Sequence, residues 1–500
     1  MIKDSKNLLD PSPEQIRSWA NAAVELIADY LSTIRDRRVY PSTSSRQIRE
    51  RLDSSLPEEP ANFDELLHTF RNTLIELSRH NGHPRMFGYV QAPGTAIAAI
   101  ADLLASALNA NLTAWRSAPA AVEIERLTIN WIKQIIGFNR EGAGLFVSGG
   151  SMANMAALAA ARRAKAPAQI QNKGAQSCAK TLRVYASEET HHSVAKAAAL
   201  LGIGRDNVRL VSVNERHKIN LDELVAAIEE DRAAGHLPIC LVANAGTVAT
   251  GAFDPFRQIG EIARRFNLWL HVDGAYGGFA ALAASTRPLF GSIEEADSLA
   301  LDPHKWLYLP VDCGCVLYRD PEIARATFAH EAEYTRVIGQ EADEAFAFWD
   351  YGPELSRRFR ALKVWMLLKS VGLQALGEAI EKDLACARHF EKLVQNSEDF
   401  EMLAPVELSI FCFRHLPARL KGALATGSSE REKIEKQLDA HNERLLLALQ
   451  RDGSSYLSNA QLRGRFSLRG CVMNYRTTLR DMEILLGDLR RVGAQLEVSG

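Results

Sequence analysis

The 500-residue sequence has few cysteines, and their spacing does not suit a metal site or a disulfide framework. Seven cysteines lie between Cys178 and Cys471, and the one close pair is Cys313 and Cys315. A structural zinc site normally needs two close pairs, or a cysteine and histidine set at ligand spacing. We therefore predict no metal, and we expect Cys313 and Cys315 to alternate along a strand. The odd cysteine count in a chain long enough for a large core predicts reduced thiols and a cytoplasmic location.

An excess of either charge is also missing. Lys and Arg together number 59 against 61 Asp and Glu, so the composition gives no reason to expect binding to nucleic acid or to an anionic membrane. The first residues carry charges where a signal peptide needs an apolar run. The most apolar stretch, residues 96–112, is interrupted by Asp102, Asn109 and Asn111, whereas a membrane span needs about 20 nearly uncharged residues. We expect no transmembrane segment, and we expect residues 96–112 to form a buried helix.

Changes of pattern along the chain predict three parts. Residues 1–95 begin with a helical pattern whose N-cap would be Ser12, and they continue into a Pro- and Ser-rich surface connection at 41–62. We expect this helical N-terminal segment to pack on the chain's own core or on a partner subunit. Residues 96–376 form the predicted large domain. Residues 377–500, where helical stretches bracket strand-like ones, form a predicted small α+β domain.

Within the predicted large domain, short apolar runs alternate with helical patterns. The predicted strands are residues 144–148, 182–187, 208–213, 239–245, 268–273 and 298–302. This alternation predicts an α/β fold in which helices cover a mostly parallel sheet. Because ligands bind beyond the carboxyl ends of parallel strands, the residues just after each run are the candidate functional residues.

The ends of the first two predicted strands carry residues suited to a phosphate and to a flat ring. After residues 144–148, Gly150 and Ser151 open a helix, whose free N–H groups and dipole favour an anion. A tight turn without a ligand is the alternative explanation of the same glycines. After residues 182–187 comes His191, which could stack on a flat ring, exchange protons or serve only the structure.

Three further strand ends carry a turn, a carboxylate and a lysine. Thr247 lies in a Gly- and Thr-rich turn after residues 239–245. Asp273 ends an apolar strand, where a buried carboxylate needs a partner such as a pyridinium nitrogen, a helix N-terminus or a basic side chain. Lys305 follows residues 298–302 among apolar neighbours and is a candidate amine nucleophile, although a single lysine is more often a surface residue.

These residues together supply a phosphate cradle, a ring-stacking histidine, a carboxylate for a ring nitrogen and a lysine for a Schiff base. Each of the four follows a predicted strand, in order along the chain. They are the four groups with which an enzyme holds pyridoxal 5′-phosphate (PLP). We therefore predict a PLP enzyme in which Lys305 holds the cofactor as a Schiff base.

Longer motifs around the same residues resemble a known family. HVDGAYGG, followed about thirty residues later by DPHKW, is similar to the group II PLP-dependent amino-acid decarboxylases, as are THHSV, SGGSMAN and RRFRALKVW. That family includes the aromatic-L-amino-acid, tyrosine, histidine and glutamate decarboxylases. The resemblance runs from about His83 to about Thr478. It implies a fold-type I, aspartate aminotransferase-like homodimer with active sites at the subunit interface, which converts an L-amino acid into an amine and CO2.

The resemblance also implies roles for individual residues. Lys305 would carry the cofactor, Asp273 would pair with the pyridine nitrogen, and His191 would stack on the ring. Tyr334 matches a mobile-loop tyrosine that returns a proton to the substrate α-carbon after CO2 leaves, and relatives that have become aldehyde synthases carry phenylalanine there. The other predicted cofactor-binding residues are Gly150, Ser151, Asp302 and His304 at the phosphate end, Thr247 in its turn, and Ala275 beneath the ring.

The resemblance favours an aromatic L-amino acid as the substrate, with glutamate, aspartate or 2,4-diaminobutyrate as the alternative. Val90 and Thr113 stand where animal aromatic decarboxylases carry phenylalanines, so two stacking partners worth about 1 kcal/mol each are missing. Val248 stands where family members often carry a threonine, which removes one hydroxyl near the cofactor. Ser356 resembles plant relatives that prefer phenolic substrates.

Two further kinds of function compete with decarboxylation. The cofactor could serve an aldehyde synthase, an aminotransferase or an aldol-type lyase, but Tyr334 and the contiguous DPHKW stretch speak against these. The chain could also be a catalytically silent homologue that acts as a binding protein. Such homologues tend to lose the lysine or the aspartate, and this chain keeps both Lys305 and Asp273.

Overall fold

A seven-stranded sheet forms the centre of the chain in a computed structural model, which describes residues 9–330, 344–424 and 431–498. Its strands lie in the order β1-β7-β6-β5-β4-β2-β3, and β7 runs antiparallel to both of its neighbours while the other pairs are parallel. The predicted α/β fold with a mostly parallel sheet is confirmed, and the six predicted strands lie within two residues of their predicted bounds. The strands are β1 Ala143–Val147, β2 Leu182–Ser187, β3 Val208–Val211, β4 Leu237–Asn244, β5 Trp269–Gly274, β6 Ser298–Leu301 and β7 Gly314–Tyr318.

The N-terminal region is helical, as its pattern predicts. The first helix begins with a capping box in which the Ser12 side chain accepts from the Gln15 N–H, so the predicted N-cap is confirmed. The expected surface connection at 41–62 contains a helix that we did not predict. That helix has its own capping box between Ser44 and Gln47, but it buries no side chain and therefore has no apolar stripe to reveal it. The three helices are α1 Pro13–Thr33, α2 Ser45–Leu52 and α3 Phe63–Thr69.

The next helix, α4 (Ala96–Leu108), differs from the buried helix that its composition predicts. Ala98 and Ala101 are buried, but Leu103, Leu104 and Leu108 are between 50% and 65% exposed. Small side chains face the core while the leucines lie on the surface of the chain. An exposed apolar surface of this kind is typical of an interaction site.

Further helices flank the large sheet and connect its strands. Alanine predominates on the helix that follows β1, and nine of its sixteen residues are buried where it packs across the central strands. Within the described ranges, no helix is long and apolar enough to cross a membrane. The helices are α5 Pro119–Ile136, α6 Gly150–Lys165, α7 Ile170–Lys173, α8 Ser193–Leu200, α9 Leu221–Ala233, α10 Phe256–Phe266, α11 Pro303–Trp306, α12 Pro321–Phe328 and α13 Ala361–Gln395.

The C-terminal region contains a second, four-stranded antiparallel sheet in the order β10-β11-β9-β8. It has its own apolar core, to which Phe390, Phe411, Phe413 and Leu489 contribute. The predicted boundary at 376/377 falls within α13, after a break in helical geometry at Gly372, so the three-part division of the chain stays a prediction. The elements are β8 Phe400–Met402, β9 Ile410–His415, α14 Ala418–Leu424, α15 Arg431–Asp452, β10 Ser458–Leu462, β11 Arg465–Cys471 and α16 Leu479–Val498.

Candidate active site

The carboxyl ends of five strands of the large sheet surround a cavity of 310 Å³. It lies where the parallel strands lead into their following helices, the position at which such sheets bind ligands. The structure thus brings together residues that are up to 155 positions apart in the sequence. The predicted residues that line the cavity are Gly150, Ser151, His191, Asp273, Ala275, Asp302, His304 and Lys305.

One end of the cavity is the N-terminus of α6. The N–H groups of Met152 and Ala153 donate to the carbonyl oxygen of Gly149. Gly149 is the N-cap residue, and as a glycine it has no side chain that could cap the helix. The N–H groups of Gly150 and Ser151 precede these bonds and remain available to an anion. A Cβ atom on Gly150 would lie 2.9 Å from the Cβ of Ala275, so the close packing at this end depends on glycine. This cradle fits the phosphate group of PLP.

Asp302, which we expected at the phosphate end, lies beside Gly150 there and also contacts the lysine. Its Oδ2 lies 3.0 Å from the Nζ of Lys305 and 3.7 Å from the Nε2 of His304, while its Oδ1 has no hydrogen-bond partner in the described residues. A carboxylate repels a phosphate, so direct phosphate binding by Asp302 is unfavourable. Its geometry suits a different task, which is to orient the ammonium group of Lys305.

Asp273 ends β5 with its carboxylate buried against two hydrogen-bond donors. Its Oδ1 accepts from the backbone N–H of Ala275 at 3.1 Å, and its Oδ2 accepts from the side-chain amide of Asn154 at 2.7 Å. In the part of the chain that the structure describes, this carboxylate forms no ion pair. A buried negative charge without a cation suits a ligand that brings a positive charge, and a protonated pyridine nitrogen is such a ligand.

His191 lies beside the cavity with its ring partly buried. Burial lowers the pKa of His191, because the charged imidazolium loses hydration there. Its Nδ1 lies 2.7 Å from the hydroxyl of Ser193, and its ring centroid lies 4.1 Å from that of His192. A neutral imidazole is therefore favoured near pH 7, and a neutral flat ring is well suited to stack on another.

Thr247 does not line this cavity, although Val248 from the same turn does. The Thr247 hydroxyl lies 3.0 Å from that of Thr250 and accepts from the Ala252 N–H, so it is used within its own turn. Its role as a cofactor ligand stays a prediction. Tyr334 lies outside the described residues, and its role stays a prediction.

Comparison with known proteins identifies the family. The pyridoxal-dependent decarboxylase conserved domain matches residues 45–416. The chain belongs to this family. The predicted resemblance, the PLP cofactor and the assignment as a carboxy-lyase are thereby confirmed.

Relatives of the decarboxylase match it over nearly its whole length. It is 34% identical over 491 residues to the aromatic-L-amino-acid decarboxylase of Bacillus atrophaeus, which covers 98% of both chains. It is 30% identical over 473 residues to a phenylacetaldehyde synthase of Petunia hybrida, covering 93% of this chain and 91% of that one. Among solved structures, it is similar to Oryza sativa TDC with PLP and tryptamine, with a TM-score of 0.88, 28% identity and coverage of 97% and 99%.

A second cavity of 800 Å³ adjoins the first and shares His191, Val248 and Lys305 with it. Arg469 lines this cavity although it is only 3% exposed. Its guanidinium donates to three backbone carbonyl groups and to the Ser458 hydroxyl, while its Nη2 has no hydrogen-bond partner in the described residues. A buried positive charge therefore lies beside the second cavity.

We did not predict several polar residues at or next to the site, including Asn154, His271 and Arg469. Asn154 lies one helical turn after Gly150, and His271 lies two residues before Asp273 on the same strand. Both spacings place a polar side chain on the same face as a predicted site residue, so the sequence alone could have predicted Asn154 and His271. Arg469 comes from the second sheet, and no local spacing connects it with the cavity.

A buried carboxylate supports the segment that carries Lys305. Asp383 of α13 accepts hydrogen bonds from the Trp306 indole at 3.1 Å and from the Tyr308 hydroxyl at 2.7 Å. The Trp306 ring in turn stacks on Tyr276 at 5.2 Å between centroids. Burial raises the pKa of Asp383 to about 7.

We predict that Asp383 makes stability depend on pH between about 4 and about 7. The unfolded chain ionises this residue near its ordinary value of 3.8, whereas the folded chain keeps it neutral up to about 7. The free energy of unfolding of the parent should therefore fall, relative to that of Asp383→Asn, as the pH rises from 5 to 7, and the difference should stay constant above 8. Urea unfolding at each pH measures this.

Asp399→Asn is the matched control for this prediction. Arg490 lowers the pKa of Asp399, so both the folded and the unfolded chain ionise it above pH 5. Its effect on stability should not change between pH 5 and pH 8. Parallel pH profiles for the parent and Asp383→Asn would show that the Asp383 carboxylate is already ionised in the folded protein.

Proposed function

We propose that the protein decarboxylates an aromatic L-amino acid to the corresponding amine and CO2, with Lys305 as the residue that carries PLP. The observation that carries this proposal is the meeting of Lys305, Asp273 and His191 at one cavity with an uncapped helix N-terminus at its end. The names of its relatives support an aromatic substrate.

Each residue of the site has a task that follows from its contacts. PLP, when bound, supplies an electron-accepting ring that stabilises the negative charge left on the substrate α-carbon as CO2 departs. Asp273 holds a proton on the ring nitrogen, because its buried carboxylate accepts only from neutral donors and has no positive partner among the described residues. His191 covers the ring and excludes water. Lys305 anchors the cofactor through Nζ, and Asp302 at 3.0 Å holds that amine in place and can accept its proton.

The second cavity is the proposed place of the substrate side chain. Its volume of 800 Å³ is large enough for a phenol or an indole. Tyr89 on its wall is half-exposed and can pack against an aromatic ring, with Val90 beside it. Val90 and Thr113 cannot stack on an aromatic substrate as phenylalanines at these positions would. Stacking on Tyr89 would compensate for part of that loss.

An amino acid with a second carboxylate is the other candidate substrate. Arg469 favours it, because its guanidinium lies at the wall of this cavity and its buried Nη2 has no hydrogen-bond partner in the described residues. A guanidinium binds a carboxylate through strong charge-assisted hydrogen bonds. Glutamate and aspartate therefore belong in any test of specificity.

A substrate screen tests the proposed function. Purified holoenzyme is incubated with the common amino acids, DOPA, 5-hydroxytryptophan and 2,4-diaminobutyrate, and CO2, amine, aldehyde and hydrogen peroxide are measured. We expect an aromatic amino acid to give the highest kcat/KM, by about tenfold or more over glutamate and aspartate, which corresponds to about 1.4 kcal/mol of transition-state binding. Amine should equal CO2. Lys305→Ala should lose the activity together with the visible absorbance of lysine-bound PLP.

Other outcomes of the screen would contradict the proposal in distinct ways. Preference for glutamate or aspartate would leave the reaction intact and assign Arg469 to substrate recognition. Aldehyde with hydrogen peroxide would indicate an aldehyde synthase, as named for the Petunia relative. Absence of CO2 from every amino acid, with PLP bound, would indicate a catalytically silent homologue.

We also propose that the protein is a homodimer in the cytoplasm. The exposed leucines of α4 support association, since they form an apolar surface on the single chain. The seven cysteines, none of which is in a disulfide, support a reducing compartment. Sedimentation equilibrium should return twice the 55.3 kDa mass of one chain, and Leu104→Glu should lower that mass. A parent protein that sediments as a single chain at micromolar concentration would contradict the dimer.

A further inference from the structure

A branched chain of buried polar groups begins at the Asp273 carboxylate and has Asn154 at its centre. Asn154 is 1% exposed and projects from the second turn of α6. Its Nδ2 donates to Oδ2 of Asp273 at 2.7 Å and to the Ser193 hydroxyl at 2.9 Å. Its Oδ1 lies 2.9 Å from the Nε2 of His271. The amide thus uses both of its donor hydrogens and its acceptor.

One branch runs from Asn154 through His271 to Ser298, and the groups at its two ends fix the direction of every hydrogen bond along it. The Asp273 carboxylate only accepts, so Nδ2 of Asn154 must face it, and Oδ1 accepts from the Nε2–H of His271. Burial lowers the pKa of His271 to about 4, so its neutral ring has an accepting Nδ1, 2.9 Å from the Ser298 hydroxyl. That hydroxyl donates to Nδ1 and accepts from the Trp269 indole N–H at 2.8 Å. With these directions, every donor and acceptor described on this branch has a hydrogen-bond partner.

The second branch fixes the tautomer of His191. The Ser193 hydroxyl oxygen accepts from Asn154, so its own hydrogen is free to point at Nδ1 of His191, 2.7 Å away. The Ser193 backbone N–H also donates to that nitrogen, at 3.3 Å. Because Nδ1 accepts twice, the neutral imidazole carries its proton on Nε2.

We propose that Asn154 is a positioning residue that sets both the orientation of the Asp273 carboxylate and the tautomer of His191. The inference rests on the proposed roles of these two residues at the cofactor. Its consequence is that a single amide aligns the carboxylate that would pair with the ring nitrogen and the imidazole that would stack on the ring. His191 then presents an Nε2–H donor, and Asp273 keeps one fixed direction towards the ring nitrogen.

Substitutions of Asn154 distinguish a role in positioning Asp273 and His191 from a role in packing alone. Asn154→Ala removes the donors to Asp273 and Ser193 and the acceptor for His271. Asn154→Asp keeps the shape but places an oxygen against the Asp273 carboxylate, so like charges would meet where a donor stood. Asn154→Ser retains one hydroxyl donor and provides a milder variant should the others fold poorly.

Asn442 provides the matched control. It is also fully buried, and its amide donates to the carbonyl groups of His415 and Leu438 and accepts from the His415 N–H. It therefore uses the same number of hydrogen bonds as Asn154, but its partners belong to the C-terminal sheet and α15, and neither lines the cavity. Asn442→Ala reports the cost of losing a buried amide without any effect on the site.

The experiment measures the dissociation constant for PLP and the visible absorbance spectrum of each variant, together with kcat and KM for the best substrate. We expect Asn154→Ala to bind PLP about tenfold or more weakly, as for the loss of a hydrogen bond to a charged group, and to displace the visible band. Asn154→Asp should be weaker still, and Asn154→Ser should lie between Ala and the parent. In Asn154→Ala, kcat should fall while KM changes by less than about threefold. Asn442→Ala should lower the unfolding temperature and leave PLP binding and spectrum unchanged.

Two results would overturn the inference, and they can be told apart. If Asn154→Ala and Asn154→Asp match Asn442→Ala in PLP affinity and spectrum, Asn154 has only a structural role, while the proposed function stands. If Asp273→Ala retains the parent's affinity for PLP, the proposed role of Asp273 fails, and the inference fails with it.

Discussion

The active site depends on how the buried Asp273 carboxylate is held by neutral donors, with no cation paired to it among the described residues. Asp273 lies at the end of a central strand, and its two oxygens accept from the backbone of Ala275 and from the amide of Asn154. These bonds connect β5 with the second turn of α6, whose first turn forms the proposed phosphate cradle. The hydrogen bond from Asn154 to Asp273 therefore fixes the carboxylate relative to the cradle. A ligand whose anionic group binds at the cradle is then placed to pair with the carboxylate through its positive group.

The ionisable side chains around the cavity divide into two groups with different proposed tasks. Lys305 and Asp302 form one pair at 3.0 Å, in which the acid orients the amine that we propose carries the cofactor. Asp273 and His191 form the other group, and the neutral side chains of Asn154 and Ser193 connect them. This separation lets the protein hold two carboxylates at one cavity while only one of them faces the proposed ring nitrogen.

Much of the fold and site follows from local patterns, and the exceptions have physical reasons. The six parallel-sheet strands are apolar runs bounded by turns, and residues after them must meet at one edge, which is why Lys305 and Asp273 were predictable. The sequence could not show that the Thr247 hydroxyl bonds within its own turn, because a turn's internal hydrogen bonds decide which way a hydroxyl points. It also could not show the contact of Asp302 with Lys305, since resemblance does not give a side chain's partners. The roles of both residues at the cofactor stay predictions. The exposed leucines of α4 were predicted as buried, because composition does not reveal which surface covers them.

Lys305 is the proposed carrier of the cofactor, and its side chain is only partly buried. Among the described residues, Lys133 and Lys363 are buried, but Lys133 donates to backbone carbonyl groups, and Lys363 donates to Asp102 and to a backbone carbonyl. The most direct measurement is reduction of the holoenzyme with borohydride, followed by digestion and mass spectrometry to locate the modified lysine. We expect the added mass of the cofactor on the peptide that contains Lys305. Modification of Lys133, Lys363 or any other lysine, with Lys305 unmodified, would contradict it.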